Sequence, residues 1–246
     1  MKNKKYLLAT DLDGTFVGDK EALGRLLQFF DNSPDEVGLV YVTGRHLSSA
    51  QSLIPEEGLP IPDLLIADVG TSIYQSDELV EDPDWKARMQ IDWQPDKIAE
   101  IAASFPSLKR QKLPDARRVS FTVSEDIGSV NEFKKTLEDE EVAHTFIFSS
   151  NRDIDVLPFG AGKGNALEYV LERYAMDGVR LLIAGDSGND RDMLSLGYPS
   201  VIVGNAQPEL LEMEPCENLF RAKQNCAGGI HEAWVHFYGD RRESLA

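Results

Sequence analysis

Cysteine is almost missing from this chain: Cys216 and Cys226 are the only two in 246 residues. Their spacing permits a bridge, yet so few cysteines in an acidic chain read as free thiols in a reducing compartment. Basic residues are also few, 25 Lys and Arg against 42 Asp and Glu, for a net charge of −17. That balance argues against nucleic acid or an anionic membrane as partner. No apolar window approaches the length of a membrane span. Lys2, Lys4 and Lys5 resemble the basic start of a secretory leader, but only four apolar-type residues follow before Asp11. We therefore expect a cytoplasmic protein, and a monomer. His46, His144, His231 and His236 are scattered without metal-ligand spacing and read as surface or core residues. A Walker A loop ending at Lys163 would need Gly at 157 and Ser or Thr at 164, where Leu157 and Gly164 stand. Internal repeats, low-complexity tracts and long linkers are missing too.

What is present is chemistry at the ends of apolar runs. Tyr6-Leu7-Leu8-Ala9-Thr10 reads as a buried parallel-type strand and delivers Asp11-Leu12-Asp13-Gly14-Thr15. Open α/β sheets bind ligands at such carboxyl ends. Two carboxylates spaced i, i+2 can divide the work, one as nucleophile and one handling protons, and Gly14 lets the chain turn. Val37 to Val42 is a second such strand, delivering Thr43-Gly44-Arg45, where a hydroxyl and a glycine amide can cradle phosphate oxygens. Arg180 to Ala184 is a third, delivering Gly185-Asp186-Ser187-Gly188-Asn189-Asp190. This loop lacks EF-hand spacing, with Gly188 at the third position and Arg191 at the sixth. Lys163 stands between Gly162 and Gly164 at the start of an amphipathic helix. Arg45 either touches phosphate or forms a structural ion pair.

The alternation of strands and helices from Met1 to about Glu81 argues for a doubly wound, Rossmann-like parallel sheet. Within it, Glu21 to Phe30 and Leu47 to Ile54 read as helices, the second ended by Pro55, and Leu64 to Ala67 as a strand. The pattern changes at Asp82-Pro83-Asp84. A helix over Asp96 to Phe105, an alternating strand over Arg118 to Ser124, and a helix over Ile127 to Leu137 follow. Strands over Thr145 to Ser149 and Asp153 to Leu157 complete a small α+β module. We expect core residues 1–81, an inserted cap over 82–160, and core residues 161–246. Trp85, Trp93, Phe105, Phe121, Phe146 and Phe148 belong to the insert, where most should form its core and one or two face a sugar ring. Parallel alternation resumes at Lys163 and runs through Val201 to Val203 to a C-terminal helix near Ile230 to Tyr238.

The order DxDGT, TGR, KG and GDSGND resembles the haloacid-dehalogenase-type phosphohydrolases. More narrowly, it resembles subclass IIB, whose α/β cap is inserted between the second and third motifs. FSSNRDIDVLP at Phe148 to Pro158 and VGNAQPEL at Val203 to Leu210 are similar to the sucrose-phosphate phosphatases and the related mannosylfructose-phosphate phosphatases. The resemblance implies that Asp11 is a nucleophile forming an aspartyl-phosphate, and that Asp13 is the general acid and base. It implies that Lys163 spreads the transition-state charge. Asp186, an Asp11 oxygen and the backbone carbonyl of Asp13 would hold Mg²⁺, an ion suited to all-oxygen ligands. Asp190 would stand behind the metal ligands, and Thr43, Gly44 and Asn189 would contact phosphate. In the cap, Arg118, Ser120, Arg152 and Asp153 either read sugar hydroxyls or are solvated strand-edge groups. The implied substrate is a sugar phosphate: sucrose 6-phosphate, with mannosylfructose phosphate or a broad range of sugar phosphates as alternatives. A degenerate phosphate-binding or receiver-like module is the non-enzymatic alternative. All four intact motifs, the second Asp and the insert of about 80 residues oppose it.

Overall fold

The computed structural model describes residues 4–32, 36–75, 78–124, 126–175 and 178–239. The chain opens with β1 (Tyr6–Thr10), α1 (Lys20–Asp31), β2 (Val37–Val42), α2 (Leu47–Glu56) and β3 (Leu64–Ala67). Two short strands follow, β4 (Ser72–Gln75) and β5 (Val80–Glu81). The middle of the chain holds α3 (Pro83–Met89), α4 (Pro95–Ala102), β6 (Lys109–Arg110), β7 (Val119–Thr122), α5 (Ile127–Asp139), β8 (His144–Ser149) and β9 (Asp153–Pro158). Then come α6 (Lys163–Tyr174), β10 (Arg180–Gly185), α7 (Arg191–Leu194), β11 (Ser200–Ile202), α8 (Pro208–Leu211), β12 (Leu219–Arg221) and α9 (Cys226–Tyr238). Pro55 does not end α2, contrary to expectation. It costs one amide bond in the last turn, and Glu57 N still reaches Leu53 O at 2.9 Å, so the helix runs through.

Eight strands form one sheet in the order β12-β11-β10-β1-β2-β3-β4-β5. The pairs from β12 to β3 are parallel, whereas β4 and β5 return antiparallel along one edge. The sheet is thus mixed rather than all parallel. Four residues separate β3 from β4, too few for the crossover that a parallel neighbour needs. Alternation along β1 divides the core. Tyr6 and Leu8 face the layer containing Leu26 and Trp234, while Leu7 and Ala9 face that containing Leu167 and Met193. Helices cover both faces, which is why these strands read as unbroken apolar runs.

The chain leaves β1 toward β2 and β3 on one side, and β10 toward β11 and β12 on the other. The switch point lies between β1 and β10, where such sheets open a crevice at their carboxyl ends. Above it stands an antiparallel sheet in the order β6-β7-β9-β8. Its far face packs Phe121, Ile154 and Val156 against α4 and α5 through Ile98 and Phe133. Trp93, Phe105, Phe146 and Phe148 join that cluster as expected. Trp85 does not. It packs with Met89 in the core, stacks on Tyr169 at 4.9 Å, and donates to Gly70 O, because α3 follows directly from edge strand β5. No helix among the described residues is long and apolar enough to cross a membrane.

Candidate active site

Each loop at the switch point is set by its strand. Asp11 N donates to Ala184 O at 3.0 Å, which extends the β1–β10 pairing by one residue and turns the carboxylate out over the sheet end. Gly14 has φ of 81°, and a Cβ there would meet Asp186 Oδ2 at 2.7 Å, so only glycine lets this loop approach Asp186. Thr15 Oγ1 then donates to Asp186 Oδ1 at 3.0 Å. Carboxylate oxygens of Asp11, Asp186 and Asp190, all buried, lie within 4.8 Å of one another. Lys163 arrives from the start of α6 and donates to Asp11 Oδ1 and Asp190 Oδ1, both at 2.6 Å.

The electrostatics follow from crowding three carboxylates around one ammonium. Burial pushes the Asp11 carboxyl well above its ordinary value; Lys163 opposes this, while Asp190 and Asp186 add to it. Asp186 is pushed up to about 7, by burial and then by Asp190. Burial pulls the Lys163 ammonium down, but Asp11 and Asp190 outweigh it and hold the group above its usual range. Negative charge in surplus, with hard oxygen donors converging, is what a small divalent cation would neutralise. The residues present therefore fit a metal ion. Asp190 is the least available of the three, since Oδ1 pairs with Lys163 and Oδ2 accepts from Asp186 N and Ser187 N at 2.9 and 3.0 Å.

The remaining expected residues divide. The Asp13 carboxylate stands outside the buried cluster, half exposed at the cleft rim, so any share it has in a metal site falls to its backbone carbonyl. Arg45 grips it with two bonds of 2.7 and 2.8 Å, which makes Arg45 an ion-pair partner that also borders the cleft. Thr43 is fully buried, and its hydroxyl accepts from Arg45 N at 3.1 Å. Gly44 and Asn189 line the cleft from opposite sides. A Cβ on Gly44 would lie 3.9 Å from Asn189 Nδ2, so the two loops close on one space. Asp68 and Val69 complete that rim in left-handed backbone, φ 51° and 56°, held by bonds to Arg45 O and Thr43 O. Such strain in non-glycine residues persists only under constraint.

From above, the period of two along β7 and β9 turns Ser120, Asp153 and Asp155 toward the core while Phe121 and Ile154 face away. Ser120 is buried and donates to Asp155. Arg118 donates to Asp155 Oδ1 at 2.6 Å and to Gly44 O at 2.9 Å, with its Nε 3.6 Å from Asp68 Oδ1. It thus ties the cap sheet to the Thr43-Gly44 loop. Arg152 is exposed and pairs with Asp153, which also accepts from Gln111 at 3.4 Å. The cleft, open to solvent, measures about 410 Å³.

Sequence reasoning missed Asp155, although its spacing of two from Asp153 placed it on the same strand face. It also missed Asp192, whose Oδ2 accepts from Gly164 N at 2.8 Å and so fixes the turn that presents Lys163. Asn205 was missed as well; it donates to Gly14 O at 2.7 Å and accepts from Cys226 N. No pattern in the sequence marks these two as neighbours of the site. The histidines stand apart from the carboxylate cluster, and His46 caps α2. Cys226 is buried and Cys216 exposed, both unbridged.

Known proteins are similar to this chain in sequence and in fold. A sucrose-phosphatase from Synechocystis sp. PCC6803, solved in complex with sucrose and phosphate, superposes with a TM-score of 0.88 at 34% identity, covering 95% of this chain and 98% of that one. A mannosylfructose-phosphate phosphatase of Agrobacterium fabrum is 31% identical, covering 94% of this chain and 96% of that protein. A glucosylglycerol-phosphate synthase of Pseudomonas anguilliseptica is 36% identical over 94% of this chain and 30% of its own length. The chain spans 30% to 60% of the length of the first curated relatives it matches. Structures at lower identity, among them a haloacid dehalogenase subclass IIB sugar phosphatase at TM-score 0.67, share the fold. Residues 4–238 match the family of sucrose-6F-phosphate phosphohydrolases, and the chain belongs to it.

Proposed function

We propose that the chain is a Mg²⁺-dependent phosphatase acting on a disaccharide phosphate, with sucrose 6-phosphate as its substrate. The observation that carries this reading is the buried Asp11–Lys163–Asp190 triad at the switch point, facing the polar side of the cap sheet. Asp11 Oδ1 is engaged by Lys163, which leaves Oδ2 as the attacking oxygen. Attack on phosphorus forms an aspartyl-phosphate and breaks the ester bond; Asp13, released from Arg45 and protonated when substrate binds, gives the departing sugar oxygen its proton. A water then attacks the same phosphorus, passes its proton to Asp13, and frees both Asp11 and inorganic phosphate. Lys163 stays charged throughout and compensates the charge on the phosphoryl oxygens. Asp11, Asp186 and the Asp13 carbonyl would hold Mg²⁺, which supplies further neutralisation of the dianion. This local positive charge answers the difficulty that a chain of net charge −17 poses for an anionic substrate.

Arg152 and Asp153 are the sugar-reading pair in this account, both lining the cleft and Arg152 exposed there, whereas Ser120 is engaged by Asp155 and Arg118 by Asp155 and Gly44 O. The relative solved with sucrose and phosphate supports sucrose 6-phosphate. Mannosylfructose phosphate is the second reading, supported by a relative matched over nearly the whole of both chains. The test is phosphate release from sucrose 6-phosphate, mannosylfructose phosphate, glucosylglycerol phosphate and simple hexose phosphates, with and without a chelator. The proposal expects the highest kcat/KM with sucrose 6-phosphate and silence with chelator. Equal rates across the panel would defeat the substrate assignment, and metal-independent turnover would defeat the metal.

A further inference from the structure

The strings FSSNRDIDVLP and VGNAQPEL carry the narrower resemblance in the sequence, yet no chemical step uses them as a pair. The structure brings them into contact. Glu209, in α8, accepts Ser150 N–H at 2.8 Å and Gly188 N–H at 3.1 Å on the same oxygen, Oε1. Ser150 belongs to the β8–β9 turn of the cap, and Gly188 to the loop that carries Asp186 and Asp190. One carboxylate oxygen therefore joins a core helix, the loop of the carboxylate cluster and the cap.

Packing tightens the junction. A Cβ on Gly188 would lie 3.1 Å from Glu209 Oε1 and 3.2 Å from Ser149 Cβ, so the cap turn rests closely on the loop and a side chain there would be crowded. The turn itself is unfavourable, with Ser150 and Asn151 both left-handed at φ 54° and 49°. Asn151 suits that conformation in a hairpin turn, whereas Ser150 adopts it less readily. A charged acceptor on the Ser150 amide helps to hold it there. Arg152 and Asp153 follow at once in the chain.

We propose that Glu209 is a positioning residue that clamps the sugar-facing turn of the cap onto the loop bearing Asp186. Its kinetic consequence rests on the phosphatase reading; the clamp does not. While Glu209 holds Ser150, Arg152 and Asp153 keep a fixed place relative to the phosphoryl site. When the cap lifts, this bond is among those that break.

The test compares Glu209→Ala and Glu209→Gln in the full chain, on sucrose 6-phosphate and on p-nitrophenyl phosphate, with amide hydrogen exchange followed in the segment 148–153. Glu209→Ala should lose about ten- to hundredfold in kcat/KM on the sugar ester, the size of lost charge-assisted bonds, and threefold or less on the small ester. Glu209→Gln keeps an oxygen acceptor and should recover most of the loss. Exchange in segment 148–153 should rise about tenfold in Glu209→Ala, as it would for a turn released from its hold. Equal losses on both esters, or unchanged exchange in that segment, would overturn the proposal. If Glu209→Ala does not fold, Glu209→Asp, one methylene shorter, takes its place with the same expectations. If the wild-type protein hydrolyses neither ester, the functional reading fails and the exchange measurement alone decides the clamp.

Discussion

Lys163→Met is the substitution whose effects the geometry defines best. The lysine side chain is 1% exposed and contacts two carboxylates at 2.6 Å. At an effective dielectric of about 20, each contact is worth roughly 6 kcal/mol of Coulomb energy before desolvation is subtracted. Removing one partner of a buried ion pair typically costs about 3–5 kcal/mol, because the other is left without compensation. Two carboxylates are stranded here, so we expect a loss near the upper end at pH 8 without metal. The loss should shrink at pH 5. Lys163 itself does not titrate between these values: its folded value is raised, so its contribution is complete below its unfolded value of 10.5. The pH dependence comes instead from Asp11, already raised by burial, which takes up a proton more readily once the ammonium has gone. Urea unfolding of wild type and variant at pH 5 and 8 measures both quantities. A loss under about 1 kcal/mol, or an equal loss at both pH values, would refute the reasoning. Turnover of sugar and small esters should fall together, by about 10²–10³-fold, as for removal of one oxyanion donor.

Three further outcomes are expected. Mg²⁺ affinity should rise between pH 6 and 8, because Asp186, at about 7, must give up its proton to bind the ion; affinity flat across that range in titration calorimetry would contradict the assignment. Arg152→Ala should lower kcat/KM about ten- to hundredfold for the sugar ester, the worth of one charge-assisted bond of roughly 1.5–3 kcal/mol, and leave p-nitrophenyl phosphate nearly unchanged; parallel losses would make the residue structural. Asp68 is raised to about 6 by burial, against the opposing Arg118, so the wild type loses stability as pH climbs from about 4 through 6. Asp68→Asn escapes that loss and should gain up to about 3 kcal/mol relative to wild type over this window, with metal-free melting curves showing a constant difference if the idea is wrong.

Much of this is legible in the sequence, and the reason is physical. A strand buried on both faces must be apolar throughout, so β1, β2 and β10 announce themselves, and the polar residues that follow each run must lie at one edge of the sheet. Asp11 and Asp186 are expected together on this ground, Lys163 on its place between two glycines at a helix start, and the three do lie together. β5 was missed because a two-residue edge needs no apolar run, β4 because its four residues, Ser72 to Gln75, are too few and too polar to read as a run, and β6 because two exposed residues carry no period. Trp85 was assigned to the cap because chain order suggested it, whereas packing on Tyr169 decides its place. The pairing of Arg118 with Gly44, and of Glu209 with Ser150, joins residues 74 and 59 positions apart through side-chain-to-backbone bonds, which leave no periodic trace in a sequence.

The central claim is that Asp11 attacks phosphorus. Its most direct test is multiple-turnover phosphate release from sucrose 6-phosphate by Asp11→Asn, an almost isosteric change that abolishes the nucleophile while sparing the fold. With Mg²⁺ present, wild type should turn over and the folded variant, free of deamidated enzyme, should release no phosphate above background. Turnover by that variant would contradict the account.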